Sequence, residues 1–97
     1  MNVVSQTRLR TFWQRHPSME GPLVKWYRAA SHATWTCFAD VRKTYNSADL
    51  VGSFIVFDVA QGCRVAVRPV YASRRVYIEA VMTHSEYDQW TKDQRRR

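Results

Sequence analysis

The sequence predicts an α+β domain in which two N-terminal helices pack on a small, mainly antiparallel sheet and a short helix closes the chain. Three observations carry that prediction. Apolar residues recur at helical spacing up to about Ala30, the pattern turns to strands from Phe54, and a helix-start signature follows the last strand at Thr83. The chain has 97 residues, 45% of them hydrophobic and 24% charged, which suits one globular domain with a single core. Three Gly and three Pro exclude collagen-like or linker-dominated architectures. No internal repeat is visible.

After the apolar pair Val3-Val4, Ser5 reads as an N-cap. Leu9, Phe12, Trp13 and His16 then follow at i, i+3, i+4 and i+7, the stripe of an amphipathic helix that Pro17 stops. Gly21-Pro22 opens a second helix, where Leu23, Trp26, Tyr27 and Ala30 repeat the spacing and Lys25 and Arg28 face outward. The short join predicts a helical hairpin whose aromatic stripes belong to the core. Phe38 to Tyr45 is consistent with a short helix carrying Arg42 and Lys43, and Asn46-Ser47-Ala48-Asp49 reads as a turn.

Phe54 to Val59 is rich in β-branched and aromatic residues and reads as a strand, followed by the turn Ala60-Gln61-Gly62-Cys63. Arg64 to Tyr71 alternates, with Val65 and Val67 on one face and Arg64, Ala66 and Arg68 on the other. Pro69 donates no ladder hydrogen bond, so a bulge or a locally free edge is expected there. Ala72-Ser73-Arg74 turns the chain into a third strand, Arg75 to Met82, completing an antiparallel meander. Thr83-His84-Ser85-Glu86 fits a capping box at the head of a short helix through Trp90. The domain is thereby placed at residues 1–91, with 92–97 a basic tail too polar to pack.

Charge narrows the partners. Fifteen Lys and Arg against eight Asp and Glu give +7, of which the tail holds +3, so the body of the domain keeps +4. A basic body favours a polyanion, with nucleic acid ahead of an anionic membrane or an acidic protein. Two cysteines, Cys37 and Cys63, are too few for a disulfide framework, and neither stands in a zinc-ligand spacing. No apolar run is long enough to span a membrane, and no signal-peptide core is seen, so a cytoplasmic protein with no membrane partner is expected.

One constellation offers chemistry. His84, Tyr87 and Asp88 stand at a strand-to-helix junction, three and four residues apart and so on one helix face. Arg64 and Arg68 share a strand face about 13 Å apart at ~3.3 Å per residue. Imidazole, phenol, carboxylate and guanidinium together suit RNA cleavage through the ribose 2′-oxygen. That reaction asks for a base at the 2′-hydroxyl, an acid at the departing 5′-oxygen and fixed positive charge on the phosphorane. Histidine titrates near neutrality and Arg keeps its charge, so neither metal nor cofactor is demanded. The bland reading of the same residues is a capped helix terminus. His16 reads as a helix-end cap and His32 as an exposed side chain; the serines lack a nucleophile elbow.

The chain resembles the HigB family of bacterial type II toxins, a branch of the RelE-like mRNA interferases. The likeness runs through Leu9-Arg10-Thr11-Phe12-Trp13-Gln14-Arg15-His16-Pro17, Pro22-Leu23-Val24-Lys25-Trp26-Tyr27, Ala33-Thr34-Trp35, Tyr45-Asn46-Ser47-Ala48, Val56-Phe57 and Val76-Tyr77-Ile78. It is most specific at Thr83-His84-Ser85-Glu86-Tyr87-Asp88. The resemblance implies a RelE-like fold, endonucleolytic cleavage of mRNA on the translating ribosome, and neutralisation by a HigA-like antitoxin with a helix-turn-helix domain. It implies His84, Tyr87, Asp88 and Arg64 as catalytic residues. Arg68, Arg42, Lys43 and Arg75 are the further cations expected to bind RNA. The chain departs from the family pattern at Phe57-Asp58, at the turn 60–63, and at Glu79, where relatives often carry Arg and a carboxylate repels phosphate. The competing function is a non-catalytic basic module that binds RNA, the ribosome or a partner protein.

Overall fold

Strand formation begins earlier than the periodicity indicates. In a computed structural model, which describes residues 1–95, Asn2–Val4 forms strand β1, pairing in parallel with a strand some seventy positions away (Val3 opposite Val76). The chain then turns sharply through Ser5, which takes a left-handed conformation (φ 73°). Ser5 therefore does not cap through its side chain as expected; its carbonyl accepts from Arg8 N–H, and helix α1 spans Thr7–Arg15. Pro17–Met19 makes one 3-10 turn, and α2 follows over Glu20–His32 with Pro22 in its first turn, where a missing N–H costs nothing. Helix α3 is Phe38–Thr44.

The remaining strands are β2 (Asp49–Val51), β3 (Phe54–Ala60), β4 (Cys63–Val70) and β5 (Arg75–Met82). The sheet order is β1-β5-β4-β3-β2, antiparallel except for the β1–β5 pair. The expected meander is therefore present as its centre, flanked by two three-residue edge strands. Gln61-Gly62 closes the β3–β4 hairpin, and Gly62 supplies the φ of 86° that an L side chain adopts only with strain. Pro69 is tolerated because the ladder to β3 stops at Ile55–Val67, leaving that flank of β4 free. A bulge falls instead on β5, where Glu79 has no opposite number between the pairs Val67–Ile78 and Ala66–Ala80, and another on β3 at Val59.

Alternation splits the sheet into two faces. Ile55, Phe57, Val65, Val67, Val76 and Ile78 point to one face and form the main core with Leu9, Phe12, Leu23, Trp26, Ala30 and Val41 from the three helices. Phe57 is its hub, with Trp26, Trp35 and Tyr45 ring centroids 5.4, 5.9 and 5.5 Å away. Full burial of Phe57 contributes about 1.5–3 kcal/mol. On the opposite face Val56, Ala66 and Met82 form a smaller cluster, roofed by Tyr87 and Trp90 of the last helix, α4 (His84–Arg95). The two N-terminal helices and the C-terminal helix thus lie on opposite sides of the sheet. Residues 92–95, expected to lack structure, continue α4, with Gln89 Nε2 donating to Asp93 at 3.1 Å; the rest of the expected tail, 96–97, lies outside the described residues.

Candidate active site

The face roofed by α4 carries the polar side chains that the core face cannot hold. Arg64 and Asp58 are cross-strand partners there, and their groups approach to 3.9 Å. Its guanidinium carbon stands 4.7 Å from the Tyr87 ring centroid, so one side chain joins β4 to the first turns of α4. Tyr87 in turn stacks towards Trp90 (6.2 Å), and Trp90 meets Phe54 edge-on at 5.4 Å. This apolar underside anchors a short helix that propensity alone would leave marginal.

The capping box fixes where that helix starts. The Thr83 amide donates to Glu86 Oε1 at 2.9 Å, and the Glu86 amide donates back to Thr83 Oγ1 at 3.3 Å. The bond from the Thr83 backbone holds the Glu86 carboxyl below its ordinary range, with a smaller contribution from Arg15. Arg15 lies 3.9 Å from Glu86, a solvent-exposed link between α1 and α4. His84 is the first residue of α4; its Nε2 lies 3.8 Å from Asp88 Oδ2, one turn on, and both side chains are largely exposed. The imidazole is therefore free to meet a large ligand, with a carboxylate beside it and Tyr87 between them in sequence.

The structure brings His84, Tyr87, Asp88 and Arg64 to one end of this face. Arg68 and Arg75 share the face at its other end, where Arg68 lies 4.9 Å over the Tyr77 ring and Arg75 donates to Tyr77 Oη at 3.4 Å. Arg42 and Lys43 are not brought to it. They ride on α3, whose Val41 and Phe38 pack into the main core on the other side of the sheet. Arg42 donates to the Asn46 carbonyl at 2.8 Å and Lys43 pairs with Asp40 at 3.7 Å. His16 stacks on Phe12 at 4.5 Å, and His32 sits 2.8 Å from the Arg28 carbonyl. Burial pushes the Cys63 thiol up to about 11, which leaves it protonated and unreactive at neutral pH.

Two contributors were missed in the sequence. Asp58, in the sequence only a departure from a family pattern, is put opposite Arg64 by the hairpin closing at 61–62. Tyr77, named in the sequence only within the block Val76-Tyr77-Ile78, is carried to Arg68 by the strand register. Shape adds little: a groove of about 290 Å³ runs beside Tyr87, Asp88, Thr91, Lys92 and Arg95, while a larger one of about 360 Å³ lies between α1 and β5. A polymer crossing an open face needs no enclosed pocket. Among the described residues, no group of three or more His, Cys, Asp or Glu is placed to hold a metal ion, and no helix is long and apolar enough to cross a membrane.

Comparison with protein families matches residues 19–90 to the HigB toxin family, described as the RelE-like toxic component of a toxin-antitoxin system. No curated protein matches the chain.

Proposed function

Because the chain belongs to the HigB toxin family, the RelE-like toxic component of a toxin-antitoxin system, we propose that it is an endoribonuclease that cuts mRNA on the translating ribosome and so stops translation. The observation that carries this reading is the Arg64 guanidinium held over Tyr87 beside the exposed His84–Asp88 pair. In the proposed reaction the His84 imidazole takes the proton of a ribose 2′-hydroxyl, and the 2′-oxygen bonds to the adjacent phosphorus. The bond from phosphorus to the 5′-oxygen breaks, and that oxygen receives a proton from the Tyr87 phenol. The products are a 2′,3′-cyclic phosphate and a 5′-hydroxyl, with no metal or cofactor taking part. Arg64 stabilises the charge that builds on the phosphorane, where a fixed donor is worth most. Tyr87 holds Arg64 in place and offers a phenol to the proton transfer, while Asp88 orients the imidazole. A family of toxins implies an antitoxin partner; we assign it to the HigA-like, helix-turn-helix class, and the site of action to the cytoplasm, where ribosomes translate.

The test is cell-free translation with the purified protein, followed by primer extension on the message. Discrete new ends are the expected result. Inhibition with an intact message would instead identify a basic module that binds RNA, the ribosome or a partner without cutting, a reading to which the solvent exposure of His84 and Asp88 lends some support.

A further inference from the structure

Helix α4 does not cover the whole of its face of the sheet. It starts beside Met82, above Arg64, and reaches Phe54 through Trp90, shielding Val56 and Ala66 on the way. The corner beyond is left open. There Arg68 of β4 and Tyr77 of β5 are directly paired, and Arg75, two residues from Tyr77, shares its side of the strand. The guanidinium of Arg68 lies 4.9 Å over the tyrosine ring, and Arg75 Nη1 donates to the phenol oxygen at 3.4 Å. Arg68 and Arg75 are exposed and Tyr77 is half-buried. Among the described residues no carboxylate lies within ion-pair distance of Arg68, Arg74 or Arg75, whereas Arg64 has Asp58. Two uncompensated guanidinium groups thus meet at one corner, one of them laid against an aromatic ring.

We propose that Arg68, Tyr77 and Arg75 form a stacking subsite for one unpaired nucleotide of the RNA, flanking the phosphate that Arg64 meets. The inference rests on the RNA-cleaving reading above. A planar guanidinium already seated on a ring presents its outer face to a base at little further entropic cost, and stacking on arginine or aromatic planes is how unpaired bases are commonly held. Arg75 supplies the charge for a neighbouring phosphate. Arg64 and Arg68 are four residues apart on one strand, about 13 Å, so the subsite lies along the same RNA strand and away from the bond that breaks. It therefore sets affinity and the position of the cut, and leaves the chemical step alone.

The discriminating variants are Arg68→Lys, which keeps charge and loses the plane, Tyr77→Leu, which loses the ring, and Tyr77→Phe, which keeps it. In cell-free translation, Arg68→Lys and Tyr77→Leu should need about tenfold or more protein for half-maximal cutting, with a saturating rate within about twofold of wild type and a shifted pattern of cut positions. Tyr77→Phe, which keeps the ring and loses only the Arg75 bond, should lose clearly less than Tyr77→Leu. Unchanged concentration dependence and unchanged cut positions in both disruptive variants would overturn the subsite alone. Full rescue by Arg68→Lys of the loss seen in Arg68→Ala would also overturn it, because an acidic protein segment or bare phosphate asks only for charge. If the wild type cuts nothing, the cleavage reading falls separately, and the subsite is judged by anisotropy of a fluorescein-labelled, 2′-O-methyl single-stranded RNA. Tenfold weaker binding by Tyr77→Leu upholds it there, and equal binding, or no binding by the wild type, ends it.

Discussion

Arg64 is the residue on which the site turns, because it is the only one of its charged groups tied to both neighbouring elements. Asp58 draws its guanidinium from the strand side and Tyr87 from the helix side. Both contacts are partly exposed, so they orient the side chain more than they stabilise the fold. Replacing Arg64 with Ala should lower cleavage by roughly 10²–10³-fold, the loss typical of one charge-stabilising donor, while Lys92→Ala, an exposed charge on the far part of α4, should change it little. Rates of message cleavage at saturating protein decide this, and equal losses would mean that Arg64 acts as one of many surface charges. His84→Gln and Tyr87→Phe should each lose roughly 10²–10⁴-fold, the usual contribution of a general acid or base, while keeping the wild-type melting curve. In Tyr87→Phe the ring stays over Arg64, so a loss there isolates the phenol oxygen from the packing.

At the scale of elements, the junction of β5 and α4 matters most, since it places His84. Thr83→Ala leaves the Glu86 amide without its partner and should cost about 1 kcal/mol, read as a lower denaturant midpoint, with His84 less firmly held and cleavage reduced. Glu86 adds a dependence on pH. Its carboxyl is held below its ordinary range in the fold, so its contribution is complete above the unfolded value and disappears as acid protonates it in the fold. Stability should fall in that acidic window, and Glu86→Gln, which still offers an oxygen to the Thr83 amide, should remove that part of the fall. The capping box, the strand arginines and the three central strands were all legible because each is written in neighbouring residues. The edge strands were not. β1 is three residues long and exists only through a partner at positions 75–77, and β2 contains Asp49 and an exposed Leu50, which carry no alternation to read. The last turn of α4 was hidden for a related reason: its charged residues look like a solvated tail until Tyr87 and Trp90 dock the helix below them.

At the scale of the molecule, one five-stranded sheet separates two tasks. One face is sealed by three helices around Phe57, and the other is half-roofed by α4, leaving its charged margin to a ligand. With a net charge of +7, binding to RNA or the ribosome should weaken steeply with salt, as a straight line of log affinity against log salt. A flat line would place the affinity in shape and apolar contact instead. Charge attracts the RNA, but the central proposal is the chemistry at the head of α4. That is tested most directly by the chemistry of the 3′ ends left on a message cut in cell-free translation by the wild type and by His84→Gln side by side. The wild type should leave 2′,3′-cyclic phosphate, or the 3′-phosphate from its hydrolysis, and the variant should cut roughly 10²–10⁴-fold more slowly. Fragments ending in a 3′-hydroxyl, or a His84→Gln protein that cuts at the wild-type rate, would contradict that proposal.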